Sequence, residues 1–269
     1  MMISIMTFMS RVLGLVRDAV YANYFVIGSA MDAFLVAFRI PNLMRRLSAE
    51  GAFSLAFVPV LTEYKEKRSK EALQDLINHV AGFMGLVLFI VSLIAVVAAP
   101  LLIMLFAPGF DAEKGAEPDL AAYLLRITAP YMLFISLSAF FSSILNVFGQ
   151  FAVPAFTPVL LNVVMIIAAI VCSPYFEEPV EALAWGVFIG GIAQALFQLP
   201  YLQRLGLVPK FSLKKGHEGV LRIMKLMGPA LVGSSAAQIN ILINTMIASM
   251  LAAGSISWLY FSDRFVEFP

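Results

Sequence analysis

A chain of 269 residues that is 61% apolar and only 13% charged departs from water-soluble domains, where about a quarter of residues carry charge. With a mean hydropathy of +0.91, it reads as an integral membrane protein. The net charge of +1 leaves no basic footprint for nucleic acid. One cysteine, Cys172, and two histidines, His79 and His217, exclude an intrachain disulfide and suggest no metal-ligand cluster and no cofactor.

Eight hydrophobic segments are predicted in chain order. The first, residues 1–27, is greasy except for Ser10-Arg11-Val12-Leu13-Gly14-Leu15-Val16-Arg17-Asp18. It has no small-residue cleavage site, so it is not a signal peptide. The second, 31–64, is long and amphipathic, with a predicted break at Pro41. The third covers 80–106 and exits at Pro100 and Pro108, the fourth covers 120–147, the fifth 153–172 and the sixth 182–202. A basic linker, 204–217, leads to the seventh, 220–251, and Ala253-Gly254-Ser255 opens the eighth from Ile256. Residues 1–217 are expected to form one transmembrane lobe, and 218–269 to begin a second. The last segment is too short to cross a bilayer, so the chain is expected to be the N-terminal part of a longer protein.

Loop charge sets the topology. Lys65, Lys67, Arg68 and Lys70 follow the second segment, and Arg204, Lys210, Lys214 and Lys215 follow the sixth. Asp111, Glu113, Glu117 and Asp119 follow the third, and Glu177, Glu178 and Glu181 the fifth. Basic loops alternating with acidic ones place the N-terminus and both basic loops in the cytosol. The turns Gly28-Ser29 and Gly254-Ser255 precede Arg39 and Arg264 similarly, which hints at an internal repeat.

This topology gives each charge a depth. Arg17 lies ten residues below the turn at Ile27, about 15 Å down at helical rise, and Arg264 lies equally far past Gly254. Arg45 and Arg46 fall mid-segment, and Arg11 is slightly deeper than Arg17. Charge at such depth costs about 2.5–3.5 kcal/mol per residue on insertion scales, so water, acids or an anion must offset it. Guanidinium forks suit phosphate oxygens. Arg46 and Glu50 are spaced to pair along one helix face, and Arg11 and Asp18 share a stripe across Gly14. Asp18 and Glu50 read as orienters of arginine rather than proton carriers. Arg39, Arg46 and Arg126 read first as pairing or snorkelling residues, and Asn42, Gln194 and Gln238 as interhelical hydrogen-bond glue. Gly14, Pro41 and Pro229 read equally as packing breaks or hinges.

The stretch from Ser10 to Asp18 resembles a signature of the MurJ/MviN lipid II flippases. So do Asp32-Ala33-Phe34, Pro41-Asn42-Leu43-Met44-Arg45-Arg46, Ala49-Glu50-Gly51-Ala52-Phe53, Phe57-Val58-Pro59-Val60-Leu61 and Ala107-Pro108-Gly109-Phe110. Pro154-Ala155-Phe156-Thr157-Pro158, Gly228-Pro229-Ala230 and Ser262-Asp263-Arg264-Phe265-Val266-Glu267-Phe268-Pro269 extend the likeness over nearly the whole chain. One departure is Arg39, where relatives carry lysine and charge is kept.

The resemblance implies an all-α, polytopic, MATE-like fold of the MOP exporter superfamily, with about eight of fourteen helices present. It implies no enzyme chemistry, metal or cofactor. The implied activity is movement of undecaprenyl-pyrophosphate-linked peptidoglycan precursor across the bacterial inner membrane by alternating access. It assigns substrate binding to Arg11, Arg17, Arg45 and Arg264, support or gating to Ser10, Asp18, Asp32, Asn42, Glu50 and Glu267, and leaves Gly14 as the hinge candidate. Lipid II, membrane lipid and the cell-wall synthesis machinery are the implied partners. Outward movement of negative charge against an inside-negative potential gains about 2.3 kcal/mol per charge per 100 mV. The alternative is a MATE-like small-molecule exporter, whose cationic substrates call for an acidic cavity.

Overall fold

The computed structural model describes residues 2–46, 52–110, 117–213 and 216–266, with side chains described throughout except at 2–5, 44, 234–237 and 264–266. Every regular element among them is helical. The first segment is one helix, α1 (Met2–Tyr24), running unbroken through Gly14. The second resolves into α2 (Ser29–Arg45) and α3 (Phe53–Lys67).

The predicted break at Pro41 is not where the helix ends. Pro41 is buried within α2, which continues to Arg45. A proline removes the donor to the carbonyl four residues back, here Ala37. Thr128 Oγ1, from a neighbouring helix, donates to that carbonyl at 3.2 Å, which is how bundled membrane helices accommodate proline.

The third segment begins ten residues before its predicted start, as α4 (Lys70–Val97), with Ser69 capping the Ala72 amide. It finishes as a short helix, α5 (Ala99–Phe106), with Pro100 in its first turn. The fourth is α6 (Pro118–Thr128) followed by α7 (Tyr131–Val147), and Gly149 turns the chain at φ 77°. The fifth is α8 (Ala152–Ile167), extended by a π turn, Ala168–Cys172, and a 3-10 turn, Ser173–Tyr175. The sixth is α9 (Val180–Leu205), closed by left-handed Gly206. The last two are α10 (Glu218–Ser249) and α11 (Ser255–Val266).

Four stretches are long and apolar enough to cross a bilayer: Lys70–Val97, Pro118–Val147, Ala152–Tyr175 and Val180–Leu205. The two halves of α10, Glu218–Gly233 and Gln238–Ser249, make a fifth when taken together, with 50° between them. That bend follows Pro229 and coincides with Gly233-Ser234, and Gly/Ser pairs are a known site of helix kinks.

Two apolar cores divide the molecule. One gathers Tyr21, Phe25 and Phe34 with residues of α5, α6 and α11. The other gathers Phe57, Leu61, Leu76, Phe140 and Leu202. The second core lies beside the basic loops, where Gln74 Nε2 donates to the Val208 carbonyl at 3.0 Å and the Lys210 amide to Asn78 Oδ1 at 2.7 Å. The first lies beside the acidic loops, where Ser29 Oγ donates to Glu117 Oε1 and Tyr123 Oη to Glu181 Oε2. Basic and acidic loops thus occupy opposite ends of the bundle, as the loop charges imply. The turns that hinted at a repeat meet at the acidic end: a Cβ placed on Gly254 would lie 3.9 Å from the Gly28 backbone.

Candidate functional site

A cavity of about 1070 Å³ lies among α1, α2, α3, α7, α8, α9 and α10. It reaches from Asn146 and Pro154, near the basic end, to Phe38 and Tyr131, which abut the core at the acidic end. Of the predicted residues, Ser10, Arg11, Gly14, Arg17, Asp18, Asn42 and Arg45 all line it, and Arg46 joins them. Four arginines therefore face one acid, Asp18, among the described lining residues. Such an imbalance in a cavity between membrane-length apolar helices suits an anion.

Arg17 is the most constrained member, 6% exposed. Its Nε and Nη2 both donate to Asp18 Oδ1, at 3.0 and 2.7 Å, and Nη1 donates to Asn162 Oδ1 at 3.0 Å. Nη2 also donates to Tyr260 Oη at 3.0 Å, while that hydroxyl donates to Asp18 Oδ1 at 3.1 Å. Asn162 Nδ2 completes the link by donating to the Ser10 carbonyl at 3.1 Å. Beside the stripe that Arg11 and Asp18 share by their spacing, the structure adds this direct Arg17–Asp18 contact. Arg11 is exposed to the cavity, and Arg45 is half-buried with its Nε donating to Asn42 Oδ1 at 2.9 Å.

The lining from α7, α8 and α9 is polar but uncharged. Ser138, Ser142, Ser143 and Asn146 of α7 belong to it, with Thr157 and Asn162 of α8 and Gln194 of α9. Gln198 fixes this wall by donating to Ser138 Oγ at 2.7 Å and accepting from Ser142 at 2.9 Å. The side-chain carbonyls of Gln194 and Gln238 are buried and have no partner among the described residues.

Asp32 does not line the cavity. It is buried at the acidic end, where Oδ2 accepts from the Gly254 amide at 2.6 Å and Oδ1 from the Ser257 amide and hydroxyl at 2.7 and 2.6 Å. A carboxylate at a helix N-terminus meets unsatisfied N–H groups and the positive end of the dipole, so Asp32 clasps the start of α11. The Gly109 amide donating to Ser249 Oγ at 3.1 Å and Arg39 donating to Thr245 Oγ1 add ties to α10 there. Gln194 Nε2 donating to the Thr157 carbonyl at 2.9 Å bears out its interhelical role. Glu50 and Glu267 lie outside the described residues, as does the Arg264 side chain.

Sequence reading missed Asn162 and Tyr260, which complete the Arg17 network from 145 and 243 residues away. Its signal for Asn162 was present: one amide inside α8, whose only other polar side chain is Thr157. The histidines are a revision of another kind, because His79 and His217, far apart in sequence, have ring centroids 4.8 Å apart beside Asp75.

Helices long and apolar enough to cross a membrane, packed around a polar cavity, define a helical membrane-bundle fold among the described residues. A solved MOP-superfamily transporter from Pyrococcus furiosus, 14% identical, shares the fold at a TM-score of 0.73 over 99% of this chain and 59% of its own. A structure titled "Lipid II flippase MurJ, inward closed conformation" aligns at a TM-score of 0.82 and 31% identity, over 98% of this chain and 54% of that one. The family model described as lipid II flippase MurJ matches residues 21–269. A curated Haemophilus influenzae protein named "Probable lipid II flippase MurJ" is 47% identical over 98% of this chain and 53% of its own length. The chain belongs to the MurJ family. It spans about half the length of the curated relatives it matches.

Proposed function

We propose that this chain forms the N-terminal lobe, residues 1–217, and the opening of the second lobe, 218–269, of a lipid II flippase of the bacterial inner membrane. The observation that carries this reading is the cavity itself: Arg11, Arg17, Arg45 and Arg46 against one buried aspartate among the described lining residues, between helices long and apolar enough to cross a bilayer. Its substrate is an undecaprenyl-pyrophosphate-linked glycopeptide. Arg11 and Arg45 receive the pyrophosphate, with Arg264 joining from α11, while Arg17 acts from within its Asp18, Asn162 and Tyr260 network. The serines, Asn146, Gln194 and Gln238 meet the sugar-peptide, and the prenyl chain stays in lipid.

In this reading the described conformation is closed at the acidic, outer end by Asp32 on α11, and the cavity reaches toward the cytosolic end. Transport then requires α10 and α11 to move relative to the first lobe, releasing the Asp32 clasp, with Gly14 and the Pro229–Gly233 stretch as candidate hinges. No bond is made or broken in the substrate. A MATE-like exporter of cations is disfavoured by the cavity, because four guanidinium groups repel a cationic cargo.

Binding tests this directly. The complete gene product, purified in detergent, is titrated with an undecaprenyl-pyrophosphate lipid and, as control, the neutral polyprenol. Arg11→Gln and Arg45→Gln together are expected to weaken pyrophosphate binding about tenfold or more, since each charge-assisted bidentate contact contributes about 1.5–3 kcal/mol. Equal affinity in the double variant, or equal affinity for the neutral polyprenol, would sink the assignment.

A further inference from the structure

The helical period puts Asp75 and His79, four residues apart on α4, on one face. The His79 side chain is 8% exposed and that of Asp75 58% exposed. His217, the N-cap residue of α10, enters from the opposite side with its ring 30° from parallel to that of His79. The Asp75 carboxylate spans both rings, Oδ1 lying 3.3 Å from His79 Nδ1 and Oδ2 3.5 Å from His217 Nε2. One donor atom from each residue lies within 4.8 Å of the others. None of the three lines the cavity, and the transport reading uses none of them.

We propose that Asp75, His79 and His217 form a binding site for a divalent transition-metal ion of the zinc class, which fastens the start of α10 to α4. Two imidazoles with one carboxylate select first-row ions such as Zn²⁺ over Mg²⁺ or Ca²⁺, which prefer all-oxygen shells. Three protein ligands leave the fourth tetrahedral position to water, and Asp75 faces the solvent that supplies it. Zinc sits about 2.0–2.1 Å from its nitrogen and oxygen ligands, which places tetrahedral donors roughly 3.4 Å apart. The Asp75 oxygens already lie 3.3 and 3.5 Å from the two ring nitrogens, and the widest donor separation, up to 4.8 Å, must contract by somewhat over an ångström when the ion binds.

The protonation states fit. A metal takes the neutral imidazole. Burial and the neighbouring His79 push the His217 ring below its ordinary range, against the opposing pull of Asp75 and Glu218. His217 Nδ1 accepts from the Gly219 amide at 3.1 Å, so Nε2 carries the ring proton and points it at Asp75. An ion bound at Nε2 displaces that proton, Nδ1 takes one up, and the Gly219 amide passes to water. The exchange costs one capping bond. At His79 the nitrogen that faces Asp75 is Nδ1, 2.8 Å from the Asp75 backbone carbonyl; an ion bound there displaces the Nδ1 proton and that bond, and Nε2 carries the ring proton toward Ser212 Oγ at 3.4 Å. Ser212 belongs to the linker between the two proposed lobes, so the ion would tie α4, the linker and α10 together.

The site itself is independent of the transport reading, whereas its fastening role rests on it. The complete gene product, with any purification tag removed, is titrated with Zn²⁺ alone by calorimetry at pH 7.5, and with Co²⁺ to read ligand geometry from visible bands. One equivalent is expected to bind and to raise the melting temperature, and affinity should fall as pH drops through the histidine range. Asp75→Asn, and His217→Asn, which keeps a capping side chain, should each weaken binding about tenfold or more and abolish the thermal shift. Absence of saturable binding, or unchanged affinity in both variants, overturns the site. Zn²⁺ that binds but leaves lipid flipping unaltered overturns the fastening role, and flipping measured without zinc tests the transport reading separately.

Discussion

A guanidinium buried at bilayer depth is tolerable only when its donors are taken up, and Arg17 meets that condition through three side chains from three helices. Asp18 supplies charge, Asn162 an amide oxygen and Tyr260 a hydroxyl that bonds to both members of the pair. Removing one partner of such a pair strands the other, which typically costs about 3–5 kcal/mol; losing one neutral hydrogen bond costs about 0.5–1.5 kcal/mol. Arg17→Ala is therefore expected to destabilise the protein severalfold more than Tyr260→Phe, as read by thermal unfolding in detergent. Equal losses would show that the ion pair is solvated rather than held by this network.

That Arg11, Arg17 and Arg45 converge on one cavity was legible in the sequence, because loop charge orients the helices and helical rise ranks their residues along the bundle. The partners of Arg17 were not, because tertiary packing alone decides which distant polar side chain reaches it. Asp18 was legible as an orienter of arginine, but its contact with the adjacent Arg17 was not. Adjacent side chains on a helix diverge by 100°, and only the length and flexibility of arginine allow Arg17 to fold back onto Asp18.

At the scale of the helix, the prolines show why local rules mislead. Pro41 should end a helix, yet α2 passes through it because Thr128 donates to the Ala37 carbonyl that the proline leaves without a donor. Pro158 is handled similarly within α8, where Thr157 Oγ1 donates to the Pro154 carbonyl at 2.8 Å. Thr128→Val keeps the shape and removes the donor. It is expected to cost about 1–3 kcal/mol, the penalty of an unsatisfied buried carbonyl, whereas Thr128→Ser should lie close to the wild type. A Val variant as stable as the wild type would contradict this account of the helix.

The linker between α9 and α10 is held just as locally. A Cβ on Gly82 would lie 2.1 Å from the Ser212 carbonyl oxygen, so Gly82→Ala must displace the linker from α4. Faster proteolysis between residues 204 and 213 is the expected readout, and unchanged cleavage would contradict it. Sequence reading identified that stretch as a basic linker. Its lodging on α4 depends on a glycine whose only signal was its small size.

Across the whole molecule, the ties at the acidic end bring one element of the first bundle against the start of α11. Asp32 provides three charge-assisted bonds there, the kind of bistable contact that an alternating-access cycle must make and break. Asp32→Ala is expected to open that end. In a Cys172→Ala background, a cysteine at cavity residue Ser138 should then react faster with an impermeant maleimide added from outside the cell. Unchanged labelling would remove Asp32 from the gate.

The role proposed for the arginine-lined cavity is to carry a lipid pyrophosphate across the membrane. It is tested most directly by the leaflet accessibility of lipid II in cells depleted of their own flippase and supplied with the complete gene product. The wild type should restore exposure of lipid II to an externally added probe that cleaves or binds its headgroup. Arg11→Gln with Arg45→Gln, at normal protein levels, should leave lipid II confined to the inner leaflet. Normal exposure in that double variant, or failure of the wild type to restore exposure at all, would contradict the account.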